Sequence, residues 1–256
     1  MPADGAFRLL SSLGATVGSL SINVSPTAGR GVFTTAAVAN GETLLRVPKR
    51  LALATPEIAW ASERISAVND AVGLHEHEAM ACALLERCDG GADETGRHAC
   101  QATRKCTRLL PSIFVPGPAW IWSDEHLELL ASPPLKARCR ARRASVQRLS
   151  ENIHRLWHRR PPSTCVSRAA PSYGSLAWAV AAVTSRAMVA ATSNGRRFTA
   201  LVPGCDLLNH DATSAVTFMI DDESDEYIIR AAADLPVGAE VTLSLIHISE
   251  PTRRTP

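Results

Sequence analysis

No charge of either sign dominates this sequence. Its 27 Lys and Arg nearly balance 25 Asp and Glu, for a formal net charge of +2 over 256 residues. A general affinity for nucleic acid or an anionic membrane surface does not follow from such a surface, so any basic partner site must be local. Short Cys-x-x-Cys pairs are also missing. The seven cysteines, Cys82, Cys88, Cys100, Cys106, Cys139, Cys165 and Cys205, form an odd set at wide spacings, which reads as a reduced intracellular protein rather than a disulfide framework or a zinc cage. No metal site is expected. The opening "MPADGAFRLLSSLGA" has neither a charged start leading into an apolar run nor an Arg- and Ser-rich presequence, so a cytoplasmic or nuclear protein with no targeting segment is expected. The longest apolar run, "LAWAVAAVTSRAMVAAT" at 176–192, is broken by Thr184, Ser185 and Arg186 and is too short for a bilayer. It reads as a core helix.

What is present is 46% hydrophobic residues, enough to bury a substantial core. From Leu20 to Ala54 short apolar segments alternate with turn residues, the texture of a β-meander with Gly29, Gly31 and Gly41 at its turns. Helical spacing then takes over. "HEHEAMACALLERC" at 75–88 predicts a helix, and in "WSDEHLELL" Ser123 is a good N-cap, followed by acids where the helix dipole favours them. Between Lys136 and Arg160, Val146, Leu149, Ile153, Leu156 and Trp157 recur at steps of three and four within an Arg-rich background, which predicts a long amphipathic helix ended by "RRPPSTC". A helix is expected at about 174–192, and β texture returns in "AVTFMIDD", "EYIIRAAADL" and "AEVTLS". The overall expectation is an α+β fold in which a helical block interrupts a mainly β domain.

Several polar features invite a functional reading. His75 and His77 are two apart on a helix and face different ways, so they do not chelate a metal together. "DDESDE" at 221–226 lacks the glycine and spacing of a calcium loop and reads as a solvated hairpin tip. The Arg-rich helix has few aromatics on which bases could stack, so a solvated face is favoured over nucleic-acid binding. Asn209 and His210 stand out more. They follow Leu207 and Leu208, so two polar side chains sit beside core positions and need partners there.

Taken in order, "GRGVFTTAAVANGETLLRVPKRLALA" (29–54), "LLPSIFVPGPAWIWSDEHLELLASPPL" (109–135), "WAVAAVTSRAM" (178–188) and "LVPGCDLLNHD" (201–211) resemble the SET-domain methyltransferases, specifically the branch typified by the Rubisco large-subunit methyltransferase. The resemblance implies a mainly β SET domain with its first part at 7–56, a helical insert at 57–173, and a second part with the cofactor segments at 174–244. It further implies S-adenosylmethionine bound by Arg30, Gly31, Arg186, Asn209 and His210. A substrate channel would be lined near Ser185 and Asp206, for transfer of a methyl group to a protein lysine. In such a reaction the amine must first lose its proton, which costs roughly 4–5 kcal/mol at neutral pH. A protein substrate, no specific nucleic acid, no membrane and a monomeric state are expected. The alternative is a non-enzymatic module that uses the helical insert to hold a protein or nucleic acid.

The family runs its last strand into a catalytic tyrosine, and here that position, directly after "EVTLS", is Leu245. "LSLIHISEPTR" at 243–253 resembles translated sequencing-library adaptor. Residues 245–256 are therefore expected to be an artefactual tail, no catalytic residue can be named in this chain, and the chain is expected to be an inactive fragment of an active parent.

Overall fold

The computed structural model describes residues 5–25, 29–55, 63–89, 102, 105–111, 117–157, 170–192 and 196–244. Two compact units emerge, one formed by Met1–Ala54 with Ala187–Pro256 and the other by Thr55–Arg186.

The first unit is mainly β. After helix α1 (Gly5–Ser12) come β1 (Thr16–Val17), β2 (Leu20–Ser25), β3 (Gly29–Thr34), β4 (Thr43–Pro48) and β5 (Leu53–Ala54). From the later sequence come β6 (Met188–Ala191), β7 (Arg197–Leu201), β8 (Asn209–His210), β9 (Val216–Asp221), β10 (Glu226–Ala231) and β11 (Glu240–Leu243). They form three small sheets, in the orders β1-β4-β10-β9, β2-β3-β11-β8 and β5-β7-β6. The expected strands at 20–54 are present, but not as a meander. β3 pairs with β2 and β11, whereas β4 pairs with β1 and β10, so the two neighbours in sequence join different sheets. Gly31 is likewise not at a turn but buried within β3, opposite Asn23.

Burial explains which strands reach the core. Leu44, Leu45 and Val47 of β4 and Tyr227, Ile228 and Ile229 of β10 are almost fully buried, and the Tyr227 ring stacks on Phe218 of β9 with centroids 5.8 Å apart. The "DDESDE" segment is the expected hairpin, with Glu226 opposite Asp221. Its tip is also latched, because Lys49 Nζ lies 3.1 Å from both Asp222 and Asp225. Burial alone would lower the Lys49 pKa, but the hydrogen bonds and charges of the two aspartates outweigh it and raise the value.

The second unit is helical, with α2 (Glu63–Val72), α3 (Glu76–Asp89), α4 (Asp124–Glu128), α5 (Pro133–Trp157) and α6 (Tyr173–Arg186). Ser123 caps α4 as expected, its hydroxyl accepting from the His126 N–H. α5 begins three residues before the sequence places it, since Pro133 occupies the first turn, where a missing N–H costs nothing. The "RRPPSTC" stop lies outside the described residues.

α6 is Ala-rich and buried on most sides, with Leu176, Ala177 and Ala179 to Val183 all in the core, and it packs along α3. The sequence places this helix to residue 192. It ends at Arg186 instead, and β6 takes its place, alternating buried and exposed against β7. The hydroxyls of Thr184 and Ser185 turn back to the Val180 and Ala181 carbonyls at 2.8 and 2.7 Å, loosening the final turn. The strand that follows has the residue pattern of a pleated ladder.

Among the described residues no helix is long and apolar enough to cross a membrane, and no three His, Cys, Asp or Glu side chains cluster as metal ligands. His75 and His77 are exposed. Cys82, Cys88, Cys106, Cys139 and Cys205 are free thiols. Burial is the main force that pushes the Cys82 thiol up to about 12, with Glu86 and Glu78 adding to it, so it is no nucleophile at neutral pH.

Candidate functional site

Gly31 and Asn209 meet on one face of the β2-β3-β11-β8 sheet. β11 lies between β3 and β8, pairing antiparallel with β3 (Glu240 opposite Phe33) and parallel with β8 (Thr242 opposite Asn209, Leu243 opposite His210). Side chains alternate along each strand, so Gly31 and Phe33 share a face of β3, as Glu240 and Thr242 share a face of β11. On that face the Asn209 Nδ2 donates to the Glu240 Oε1 at 2.7 Å. Gly31 lies beneath this pair. A Cβ added to it would stand 2.5 Å from the Glu240 Oε1 and 2.9 Å from the Asn209 Nδ2, distances that real Cβ atoms do not tolerate. Glycine at 31 is thus required by the pair above it, in an ordinary extended conformation.

The two-residue strand β8 is held from several sides. The His210 ring nitrogen Nδ1 lies 2.9 Å from the Leu243 carbonyl, which can only accept, so Nδ1 carries the proton. Asp211 N–H donates to the same carbonyl at 3.3 Å. The Asp211 carboxylate accepts from the backbone N–H and the hydroxyl of Thr213, both at 2.8 Å, and these two bonds, with His210 adding, hold its carboxyl below the usual range.

Upstream of β8, the chain makes a tight 3-10 turn at Cys205–Leu207, entered through Gly204 at φ +88°. A Cβ on Gly204 would lie 2.8 Å from Leu10 Cδ1 and 3.2 Å from Leu45 Cδ2, so this turn sits directly on α1 and β4. The Asp206 Oδ1 accepts from the Gly204 N–H at 2.9 Å, stapling the turn. Leu207 and Cys205 are buried, and Asp206 and Asn209 are half-buried.

The structure therefore brings Gly31, Asn209 and His210 together on one sheet. Asp206 stands one turn before them, and Arg30 is the exposed neighbour of Gly31 on the opposite face of β3. Arg186 and Ser185 belong to the helical unit, where they end α6; Arg186 is half-buried, and the Ser185 hydroxyl is turned onto its own helix. Sequence reasoning did not single out Glu240. Its signal was present in "AEVTL", where an acid and a threonine alternate with Val241 and Leu243, which are 1% and 4% exposed. An acid on the polar side of a strand whose other side is core has to find a partner nearby.

The face fits the amino-acid end of a ligand such as S-adenosylmethionine. The gap that glycine leaves is filled by the Asn209–Glu240 pair, and the half-buried carboxamide, with its Nδ2 on Glu240, keeps its oxygen for a ligand.

The helical unit shows where its arginines go. Lys136 and Arg140 both bond Glu128, Arg142 lies 4.0 Å from the buried Glu78, and Arg143 bonds Asp124 and the carbonyls of Trp120 and Trp122.

Short pleated strands in several small sheets, with a 3-10 turn leading into an Asn-His strand beside the last ladder, define an α+β domain. Residues 29–244 match the profile of the SET domain, and the chain belongs to that family. Solved structures agree on the fold. The SET domain of LSMT bound to lysine and AdoHcy superposes with a TM-score of 0.69 at 18% identity, over 96% of this chain and 56% of that one. Rubisco LSMT bound to sinefungin and monomethyllysine gives 0.66 at 21%, over 96% and 53%, and Rubisco LSMT bound to AdoMet gives 0.65 at 21%, over 95% and 52%. The chain thus spans about half the length of these structures. No curated protein sequence matches it.

Proposed function

We propose that the chain carries the SET domain of an S-adenosylmethionine-dependent protein-lysine N-methyltransferase, and that in its present form it binds cofactor without turning over. The observation that supports the reading is the Asn209 carboxamide held by Glu240 over the side-chain-free strand at Gly31. Gly31, Asn209 and His210 would hold the cofactor, with Arg30 contributing charge, and Asp206 would border the path of the target amine. S-adenosylmethionine, when bound, supplies a methyl group on a sulfonium centre.

The chain's own residues then have two tasks. Asn209 offers a carboxamide oxygen to an ammonium group. The target lysine has to be present as the free amine, and apolar surroundings favour that form by penalising its charge. A hydroxyl placed beside the reacting amine would complete the site. Directly after Ser244 stands Leu245, which has none. Loss of one preorganised polar group of that kind costs about 10²–10³ in rate.

The test is a labelled-methyl transfer assay on a lysate of the source organism. It uses three proteins: the chain itself, Leu245→Tyr, and a chain in which residues 245–256 are replaced by whatever follows "EVTLS" in the source transcript. Only the third should transfer label. Robust turnover by the unmodified chain would overturn the assignment of its inactivity, and a silent third protein that also binds no S-adenosylhomocysteine would overturn the enzyme itself.

A further inference from the structure

Glu240 is a half-buried carboxylate that the reaction itself does not need, yet it is aimed at the one side chain that the proposed site depends on most. A carboxylate only accepts hydrogen bonds, so it selects the NH₂ side of the Asn209 carboxamide; the flipped amide would set two acceptor oxygens against each other. With Nδ2 so engaged, Oδ1 is the atom turned to the ligand, and among the described residues nothing donates to it. The space for this arrangement exists because residue 31 is glycine, since any side chain there would collide with both members of the pair.

We propose that Glu240 is a positioning residue for ligand recognition. By fixing the carboxamide of Asn209 it presents an acceptor, backed by negative charge, to a cationic group, and so makes the sheet face select the ammonium end of an amino-acid-bearing nucleoside. The inference rests on the cofactor reading above and adds to it the residue that sets the direction of Asn209. Asn209 reads the ammonium, not the carboxylate, and it does so only while Glu240 holds it.

The test uses the 256-residue chain and Glu240→Gln, which keeps the size of the side chain but can pair with either amide orientation by turning its own, accepting from Nδ2 or donating to Oδ1. Calorimetry would measure affinity for S-adenosylhomocysteine, and competition would measure affinity for 5′-methylthioadenosine, which shares the adenosine and sulfur but lacks the amino-acid end. The variant should bind S-adenosylhomocysteine about tenfold more weakly, as expected for loss of one oriented charge-backed acceptor. It should bind methylthioadenosine as the unaltered chain does, with the same thermal midpoint. Parallel loss for both ligands would mean that Glu240 merely supports the strand and would overturn the proposal, as would unchanged binding of both. If the unaltered chain binds neither ligand, it is the cofactor reading that fails, and the role of Glu240 falls with it.

Discussion

A methyl group on Gly31 would stand 2.9 Å from the Asn209 Nδ2, whereas one on Gly204 would stand 2.8 Å from Leu10 Cδ1. The closest approach at Gly31 is shorter still, 2.5 Å to the Glu240 Oε1, but the neighbours differ in kind. Asn209 and Glu240 are polar side-chain ends that can swing aside, so Gly31→Ala should leave the fold nearly intact while displacing the pair and reducing S-adenosylhomocysteine affinity. Gly204 sits at φ +88° against packed leucines that cannot yield. Gly204→Ala should destabilise by about 1–3 kcal/mol through backbone strain and overpacking. Denaturant melts and calorimetry on the two variants should therefore show opposite pairs of effects; equal loss of stability in both would show that the Gly31 pair is rigid.

Arg143 spreads one guanidinium over the Trp120 and Trp122 carbonyls and the Asp124 carboxylate. Asp124 is largely exposed, so the ion pair adds little, and the two carbonyls carry the effect. Arg143→Ala should cost about 1–3 kcal/mol for the acceptors it abandons. Arg143→Lys should recover less than half, because an ammonium cannot reproduce the planar fork. Urea denaturation of the three proteins measures this directly.

The same ion pairs bear on nucleic acid. Lys136, Arg140, Arg142 and Arg143 on α5 already face Glu128, Glu78 and Asp124. Fluorescence anisotropy with short RNA and DNA should show only weak binding that fades steeply with salt. Submicromolar affinity at physiological ionic strength would contradict this.

Asp211 should titrate below an ordinary aspartate because the Thr213 N–H and hydroxyl stabilise its charged form. A depressed folded pKa means that the stability it contributes is present above the unfolded value of about 3.9 and is lost as pH falls through the lower folded one. Thr213→Val removes the hydroxyl and keeps the N–H, so it should raise the Asp211 pKa part of the way. Carboxyl-carbon NMR titration of the two proteins provides the check.

Local pattern was legible wherever it was long. The apolar spacing of α3 and α5, the cap at Ser123 and the alternation in β9 to β11 could all be read from the sequence, because each is set within one element. What could not be read was partnership. Nothing local distinguishes a meander from β3 and β4 parting to separate sheets, since that is settled by β10 and β11, about 180 or more residues later. The end of α6 is not legible for a related reason, as the alanines that run on into β6 favour a helix, and only pairing with β7 overrides that preference. In the site, Asn209 and His210 were visible as polar residues beside core, and Gly31 by resemblance. Glu240 was not, because its importance lies wholly in what it touches.

β11 pairs with residues 32–33 on one side and residues 209–210 on the other. During synthesis, then, the glycine strand is made early and must wait for more than two hundred further residues before the ladder that organises it exists. Contacts of such sequence separation form slowly, since the loop must close before the pairing rewards it. Through that interval the edge of β3 is unpaired and open to other chains. Ribosome-bound nascent chains stalled before residue 240 should consequently depend on a holdase chaperone, and those released beyond it should not.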